Sequence, residues 1–360
     1  MKTIVIYYNS MAGSGGIERV ISNLMFAWQE YYNLILLTKD DSKNSFYRIP
    51  NEVRLVSLNE PLNLDMKDRK QRIKEVFVNT WRSHKKLKRV LANIKFDYIY
   101  TATPLNSLEV YLANNAYKEK MVISEHASAY AVNGIYQHIK KFVYPKVYCI
   151  SVPNRMDVDV YKSWGCRAIY IPHLIPKDKS IAPNKLDSKI MLNVGRLTSD
   201  KRQAELIKCW SEISDRKGWK LWIVGDGEEK ENLQKEISDL KISDVKLIPA
   251  TKEIDKIYKQ ASAFVFTSRM EGFGMVLLEA MQYGIPCISF DCPSGPRDIV
   301  KDGINGYLVK NNDWKELNRR MSTYINNSQD ELNKMGNGAI QTISSWDNKR
   351  IVDRWKKVYR

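Results

Sequence analysis

Apolar runs of strand length alternate along this chain with stretches whose apolar residues return every three or four positions. Thr3–Tyr8 predicts a first buried strand, and Glu18–Trp28 a helix entered from a glycine-rich loop. Leu34–Thr38, Tyr98–Ala102, Met121–Ser124 and Val147–Ser151 predict further strands, while a polar stretch reaching to about Leu64 shows no clear element. Residues 176–188 carry Pro176, Pro183 and several charges without periodicity, and read as a linker. The alternation then restarts with Met191–Val194, Leu221–Val224, Val245–Ile248, Ala263–Thr267 and Cys287–Phe290. Continuous apolar strands separated by helices are the pattern of a parallel α/β sheet covered on both faces. Two such halves, 1–175 and 189–343, predict Rossmann-like domains with a ligand cleft at the carboxyl ends of their strands. Ser344–Trp355 reads as one helix near the end of the chain.

Composition narrows the class. A chain of 360 residues supports two domains with their own cores, and 27% charged residues with normal apolar content indicate a globular protein. No apolar run approaches the length of about 18 residues that a spanning helix needs. The apolar Met1–Tyr8 is too short for a signal peptide and leads into a glycine loop, so it reads as a core strand. Five scattered cysteines without a Cys-x-x-Cys pair, and four histidines without ligand spacing, predict reduced thiols in the cytoplasm and no metal.

The net charge of +16 is uneven. Eleven basic residues lie between Lys67 and Lys95, opposed only by Asp68 and Glu75. Ile73, Val76, Phe77, Trp81, Leu87, Val90, Leu91 and Ile94 interleave with them at helical spacing, which predicts a basic amphipathic helix or helix pair. A solvated helix packed on its own sheet would look like this. So would a helix drawn to anionic lipid, where each basic residue is worth about 1 kcal/mol. Lys85, Lys86, Lys88 and Arg89 are the candidates for that surface. Nucleic acid is disfavoured as a partner, because no recognised binding motif accompanies the charge.

The chemistry concentrates in loops. In Glu271-Gly272-Phe273-Gly274-Met275-Val276-Leu277-Leu278-Glu279, two carboxylates lie eight residues apart around a glycine turn that leads from a strand into a helix. Strand, glycine turn and helix start point backbone N–H groups at an anion. Glu271 is placed at the mouth of that site, and Glu279 about two turns on along roughly the same helix face. Gly195-Arg196-Leu-Thr-Ser-Asp-Lys201 follows Met191–Val194, and its guanidinium and ammonium suit a diphosphate. The first glycine loop, Gly13-Ser-Gly15-Gly16-Ile-Glu18-Arg19, is not a dinucleotide fingerprint, because Glu18 stands where a third glycine is needed. Read alone it is a turn, with Glu18 and Arg19 serving the helix start. Ser124-Glu125-His126 follows a strand; by spacing alone such a histidine is more often structural, and Glu125 suits the orienting of its loop. Gly225-Asp226-Gly227 reads equally as a plain turn or as a wall of a nucleotide cleft whose base is held by 249–254. Asp291–Pro296 and Asp302–Gly306 read as structural turns.

Together these segments resemble the retaining glycosyltransferases of family four, with the GT-B fold, over nearly the whole chain. The resemblance is close over 190–310 and looser over 30–120. It implies two Rossmann-like domains facing a central cleft: an acceptor-side domain (1–175), a nucleotide-sugar domain (189–343), and a C-terminal helix (344–360) packed back on the first. It implies retaining, metal-independent transfer of a hexose or N-acetylhexosamine from a nucleotide diphosphate sugar, a UDP-sugar, to a saccharide or lipid-linked saccharide. No cofactor beyond that co-substrate is implied. Glu271, His126, Arg196 and Lys201 are then the catalytic group, with His126 facing the donor sugar. Donor binding falls to Gly16, Arg196, Lys201, Gly272, Phe273, Gly274, Met275, Val276 and Glu279. In Ile171-Pro172-His173, histidine stands where the family often has asparagine, in a hinge region. The implied setting is surface-polysaccharide or glycolipid synthesis, in the cytoplasm or on the inner face of the plasma membrane.

Other classes fit less of the chain. A GT-B sugar phosphorylase needs a pyridoxal phosphate lysine and a much longer chain. A hydrolase with paired glutamates leaves the two cations without a use. A non-catalytic basic module for membrane or nucleic acid explains the charge but not the two loops. A transferase with a soluble acceptor stays open.

Overall fold

Seven parallel strands build the first sheet: β1 (Thr3–Tyr8), β2 (Asn33–Thr38), β3 (Arg54–Ser57), β4 (Tyr98–Thr101), β5 (Met121–Ser124), β6 (Cys149–Val152) and β7 (Ala168–Tyr170), in the spatial order β3-β2-β1-β4-β5-β6-β7. Six more build a second parallel sheet: β8 (Ile190–Val194), β9 (Lys220–Val224), β10 (Val245–Ile248), β11 (Ala263–Phe266), β12 (Cys287–Asp291) and β13 (Gly306–Lys310), in the order β10-β9-β8-β11-β12-β13. The computed structural model describes the backbone of residues 1–41, 43–60, 69–129, 134–175 and 181–360, and the side chains of all of these except 69–74, 76 and 77. The chain divides into two units, Met1–Leu174 with Asn348–Arg360, and Ile175–Asp347.

The first unit carries α1 (Gly16–Trp28), α2 (Arg69–Ala92), α3 (Pro104–Ala113), α4 (Gly134–Val143) and α5 (Arg155–Ser163). The second carries α6 (Gln203–Ser211), α7 (Lys230–Asp239), α8 (Ile254–Tyr258), α9 (Met275–Gln282), α10 (Pro296–Ile299), α11 (Trp314–Asn326) and α12 (Gln329–Ser345). The last helix, α13 (Asn348–Val358), belongs to the first unit. In each sheet the chain runs outward one way from the first strand, then returns to its other side. Loops therefore splay apart beside β1 and β4, and beside β8 and β11, leaving room for a ligand at the strand ends. Helices on both faces explain the unbroken burial of β4, β5 and β6 and of β1 after Thr3. Val5, Tyr7, Ile35, Leu37, Ile99, Ile123 and Ile150 form one side of the first core. Met191, Leu221, Ile223, Val265, Ile288 and Trp210 anchor the second.

Several expectations change. β3, β7 and β13 emerge where no strand was expected: β3 and β7 are short edge strands and β13 grows out of a turn, so none shows a long apolar run. The single helix expected over Ser344–Trp355 is two, because the backbone at Trp346 turns extended between α12 and α13. In α13, Trp355 packs against Trp28 with ring centroids 5.0 Å apart, and the Arg354 guanidinium donates to the Tyr170 carbonyl at 2.9 Å. Of the expected linker, 176–180 lie outside the described residues, as do Leu64, Lys67 and Asp68. The remainder is tied into the second unit rather than free. Asn184 donates to the Tyr258 and Ala261 carbonyls at 2.7 and 2.8 Å, and Leu186 is buried in that core.

Candidate functional site

In the second unit, the loop after β8 is pinned to the turn after β9. Gly195 N donates to Val224 O at 3.0 Å, and Leu197 N to Asp226 O at 2.9 Å. A Cβ on Gly225 would lie 1.9 Å from Gly195 O, so the two backbones touch only because that residue is glycine. The Gly225–Gly227 turn thus fixes the course of the cation loop. From that loop the Lys201 ammonium pairs with the Glu271 carboxylate, their side chains 25% and 16% exposed. Arg196 parts company with Lys201: its side chain is exposed and pairs with no carboxylate among the described residues.

Glu271 reaches Lys201 from a loop braced by its own amide, which donates to Pro293 O at 3.3 Å. Gly272, Phe273, Gly274 and Met275 are buried and Val276 is half-buried. Gly274 sits at φ +91°, a left-handed conformation that turns the chain into α9 at little cost only for glycine. The amides of Met275 and Val276 open that helix, where N–H groups lack partners within the helix and carry its positive end. Phe273 packs on the Trp346 ring at 5.7 Å, a supporting contact. One expectation fails: Glu271 precedes α9 and does not share a helix face with Glu279. Glu279 lies on the second turn of α9, half-buried, and accepts from the Tyr258 hydroxyl at 3.2 Å.

In the first unit, His126 follows β5. The amides of His126 and Ala127 donate to one oxygen of Glu125 at 2.9 and 3.0 Å. The other oxygen takes the Tyr161 hydroxyl at 2.5 Å and the Lys140 ammonium at 2.8 Å. Burial alone would raise the Glu125 pKa, but the charge of Lys140 and these hydrogen bonds outweigh it and hold the carboxyl below its usual range. Glu125 therefore shapes the histidine loop. The His126 ring lies 3.3 Å through Nε2 from the Tyr100 hydroxyl and stacks on His173, centroids 5.0 Å apart and planes at 16°. Burial pushes the His126 pKa down to about 4 despite the nearby Glu125 charge, so the ring is neutral at pH 7. His173 is likewise held well below its usual range, by burial and by His126. The departure at 173 thus places a second imidazole against the first. Spacing carried no sign of this, because 126 and 173 follow different strands.

Gly16 opens α1, and a Cβ there would meet nothing within 4 Å. Gly13 and Gly15 instead lie against the Glu18 carboxylate, which accepts from the Tyr8 hydroxyl at 3.2 Å. On α2, Leu87 and Leu91 are buried in the core while Lys85, Lys88 and Arg89 are exposed. Lys86 is not part of that outer face: its ammonium pairs with Glu60 at 2.7 Å and donates to Leu58 O at 3.2 Å. Lys85 sits 3.5 Å over the ring of Trp81, which is 54% exposed. The side chains of Arg69, Lys70, Arg72, Ile73, Lys74, Val76 and Phe77 lie outside the described residues. Among the described residues, no three His, Cys, Asp or Glu side chains gather as a metal site would require. No helix described is long and apolar enough to cross a membrane. All five cysteines are buried and unpaired. The residue that sequence reasoning missed most completely is Arg202, buried beside Lys201.

Residues 175–342 match the family model of glycosyl transferases group 1. The amylovoran biosynthesis glycosyltransferase AmsD of Erwinia amylovora is 25% identical, over 99% of this chain and 99% of its own length. The GalNAc-alpha-(1->4)-GalNAc-alpha-(1->3)-diNAcBac-PP-undecaprenol alpha-1,4-N-acetyl-D-galactosaminyltransferase of Campylobacter jejuni is 24% identical, over 96% of this chain and 95% of its own. Among solved structures, that of an S. aureus TarM mutant with UDP, alpha-GlcNAc-glycerol and fondaparinux superposes over the full length of both chains, with a TM-score of 0.81 and 14% identity.

Proposed function

We propose that this chain, a glycosyltransferase of the GT-B fold with a glycosyl transferases group 1 domain over residues 175–342, moves a hexose or N-acetylhexosamine from a UDP-sugar with retention of configuration. The acceptor is a saccharide or lipid-linked saccharide in bacterial polysaccharide or glycolipid assembly, the setting that the names of the Erwinia and Campylobacter relatives support. UDP is favoured because it is the nucleotide held by TarM. The observation that carries the reading is the Lys201–Glu271 pair beside the start of α9.

The chemistry follows from the charges. As the bond from the anomeric carbon to the diphosphate breaks, negative charge grows on the phosphate oxygen. Lys201, Arg196 and the amides of Met275 and Val276 are the groups that offset it, so no metal is required for that task. Glu271 accepts from donor-sugar hydroxyls and favours positive character at the anomeric carbon. The acceptor oxygen bonds to that carbon on the face the phosphate leaves, and its proton passes to the departing phosphate oxygen. Gly272, Phe273, Gly274 and Glu279 shape donor binding in the second unit.

A thermal-shift panel of UDP, GDP and ADP tests the donor. A ligand at a hundred times its dissociation constant adds about 2.7 kcal/mol, so UDP should raise the melting temperature measurably more than GDP or ADP. The shift should persist in excess chelator. Equal shifts from all three nucleotides would overturn the choice of UDP, and a shift lost in chelator and restored by magnesium would overturn metal independence.

The acceptor's lipid is reached, in this reading, through the outer face of α2. Lys85, Lys88 and Arg89 present charge, and Trp81 an aromatic ring of the kind that settles at a headgroup layer. The protein should co-sediment with anionic vesicles at low salt, and less at high salt. Changing Lys85, Lys88 and Arg89 together to Gln should abolish that binding. Equal affinity for neutral vesicles would sink the idea.

A further inference from the structure

We propose that Arg202 is a positioning residue that locks the Lys201 turn and the Glu271 loop together before any substrate arrives. The proposal rests on the reading of Lys201 and Glu271 given above. Arg202 stands at φ +57° and ψ +38° between the Ser199–Lys201 turn and α6, a conformation that glycine adopts far more readily. The strained backbone turns its side chain inward, where it is 5% exposed. Nε donates to Thr267 O at 2.8 Å, Nη2 to Ser268 O at 2.9 Å and to Asn311 Oδ1 at 2.8 Å, and Nη1 to Asn312 Oδ1 at 3.1 Å. The guanidinium carbon lies 5.0 Å over the Phe290 ring and 5.5 Å from that of Trp314.

Thr267 and Ser268 belong to the short segment that joins β11 to Glu271. Two further bonds run alongside: the Thr267 hydroxyl donates to Lys201 O at 2.9 Å, and Arg269 N to Asp200 O at 2.8 Å. Residues 200–202 and 267–269 are therefore zipped, and Arg202 ties the zipper to the turn after β13. A planar fork with five donors can hold four acceptors on two segments at once; a lysine ammonium, with three donors and no plane, cannot. Directed into protein rather than outward, Arg202 acts through Lys201 and Glu271. It sets the distance between a cation and a carboxylate whose misplacement by about 1 Å can cost on the order of a hundredfold in rate.

Arg202→Gly is the discriminating variant, because it relieves the backbone while removing the guanidinium. UDP release would be followed with UDP-galactose, UDP-glucose and their N-acetylamino counterparts, using the donor that wild type turns over fastest. Arg202→Gly should lower kcat by about tenfold to a hundredfold, with a smaller change in KM. Methylguanidine should restore several-fold of that loss by refilling the vacated site. Asn311→Ala with Asn312→Ala, which keeps the bonds to Thr267 and Ser268, should lose less. Wild-type turnover in Arg202→Gly overturns the proposal, as does a loss that follows the unfolded fraction and ignores methylguanidine. Glu271→Gln serves as the parallel control. An inactive Glu271→Gln beside a fully active Arg202→Gly refutes the lock alone, whereas full activity in Glu271→Gln refutes the proposed function and the lock with it.

Discussion

Glu271→Gln should reduce turnover by on the order of a hundredfold or more, and Lys201→Ala should do the same, with the fold intact in both. In the proposed mechanism each residue acts on charge that exists only as the glycosidic bond breaks, so the loss should appear in kcat rather than in KM alone. Glutamine keeps the shape of Glu271 and one acceptor oxygen but removes the negative charge that, in this mechanism, favours a cationic anomeric carbon. Alanine at 201 removes the ammonium that the proposed mechanism sets against the departing phosphate. Stability should change little, because the pair is partly solvated, at 25% and 16% exposure, and such pairs contribute about 0–1 kcal/mol. Steady-state UDP release and a thermal melt on each variant check both halves. Near-normal turnover in either variant would remove that residue from the reaction.

Lys140→Met is expected to give the largest stability loss. Lys140 and Glu125 are each 4% exposed, and the methionine would leave the Glu125 carboxylate with the Tyr161 hydroxyl and two amides but no cation. Breaking a buried pair by removing one partner costs about 3–5 kcal/mol. For a unit of this size that lowers the melting temperature by on the order of 10 °C. The pH dependence gives a second check. In wild type the folded Glu125 pKa is depressed, so its contribution is present above the unfolded carboxyl value and is lost as pH falls through the lower folded one. Without Lys140, burial becomes the larger influence and the folded pKa moves up. The variant's deficit should then be greatest at neutral pH and shrink toward about pH 5, as the carboxyl takes up a proton. Denaturation at both pH values measures it. A deficit below about 1 kcal/mol, or one that does not change with pH, would mean that Lys140 does not hold this carboxylate.

The polar network around Glu125 also explains why the histidine loop was only partly legible. Ser124-Glu125-His126 at a strand end was visible, and so was the suitability of Glu125 for shaping the loop. Lys140, Tyr161, Tyr100 and His173 were not, because they arrive from four other segments. The cation loop divides in the same way. Arg196 and Lys201 look equivalent in sequence, yet one is exposed and the other meets a carboxylate 70 residues away. Lys86 looked like its basic neighbours until Glu60, in the irregular stretch after β3, claimed it. Glu279 looked like a partner of Glu271, but α9 starts only after Gly274 and leaves them on different elements.

What the sequence alone determined about this protein is local. β1 and β5 begin and end where their apolar runs do, because a strand buried on both faces needs an apolar segment of its own. The alternation of strand and helix, and the glycine turn into α9, follow likewise from residues within a few positions of one another. The tertiary structure alone decided which charges meet. Two parallel sheets bring loops from distant strands to common edges, and the free energy of a buried charge depends on whatever arrives there. Hence Arg202, one more basic residue after Lys201 in the sequence, becomes a buried clamp. It does so only because β11, β12 and β13 deliver two carbonyls, two aspargine side chains and an aromatic ring to its reach.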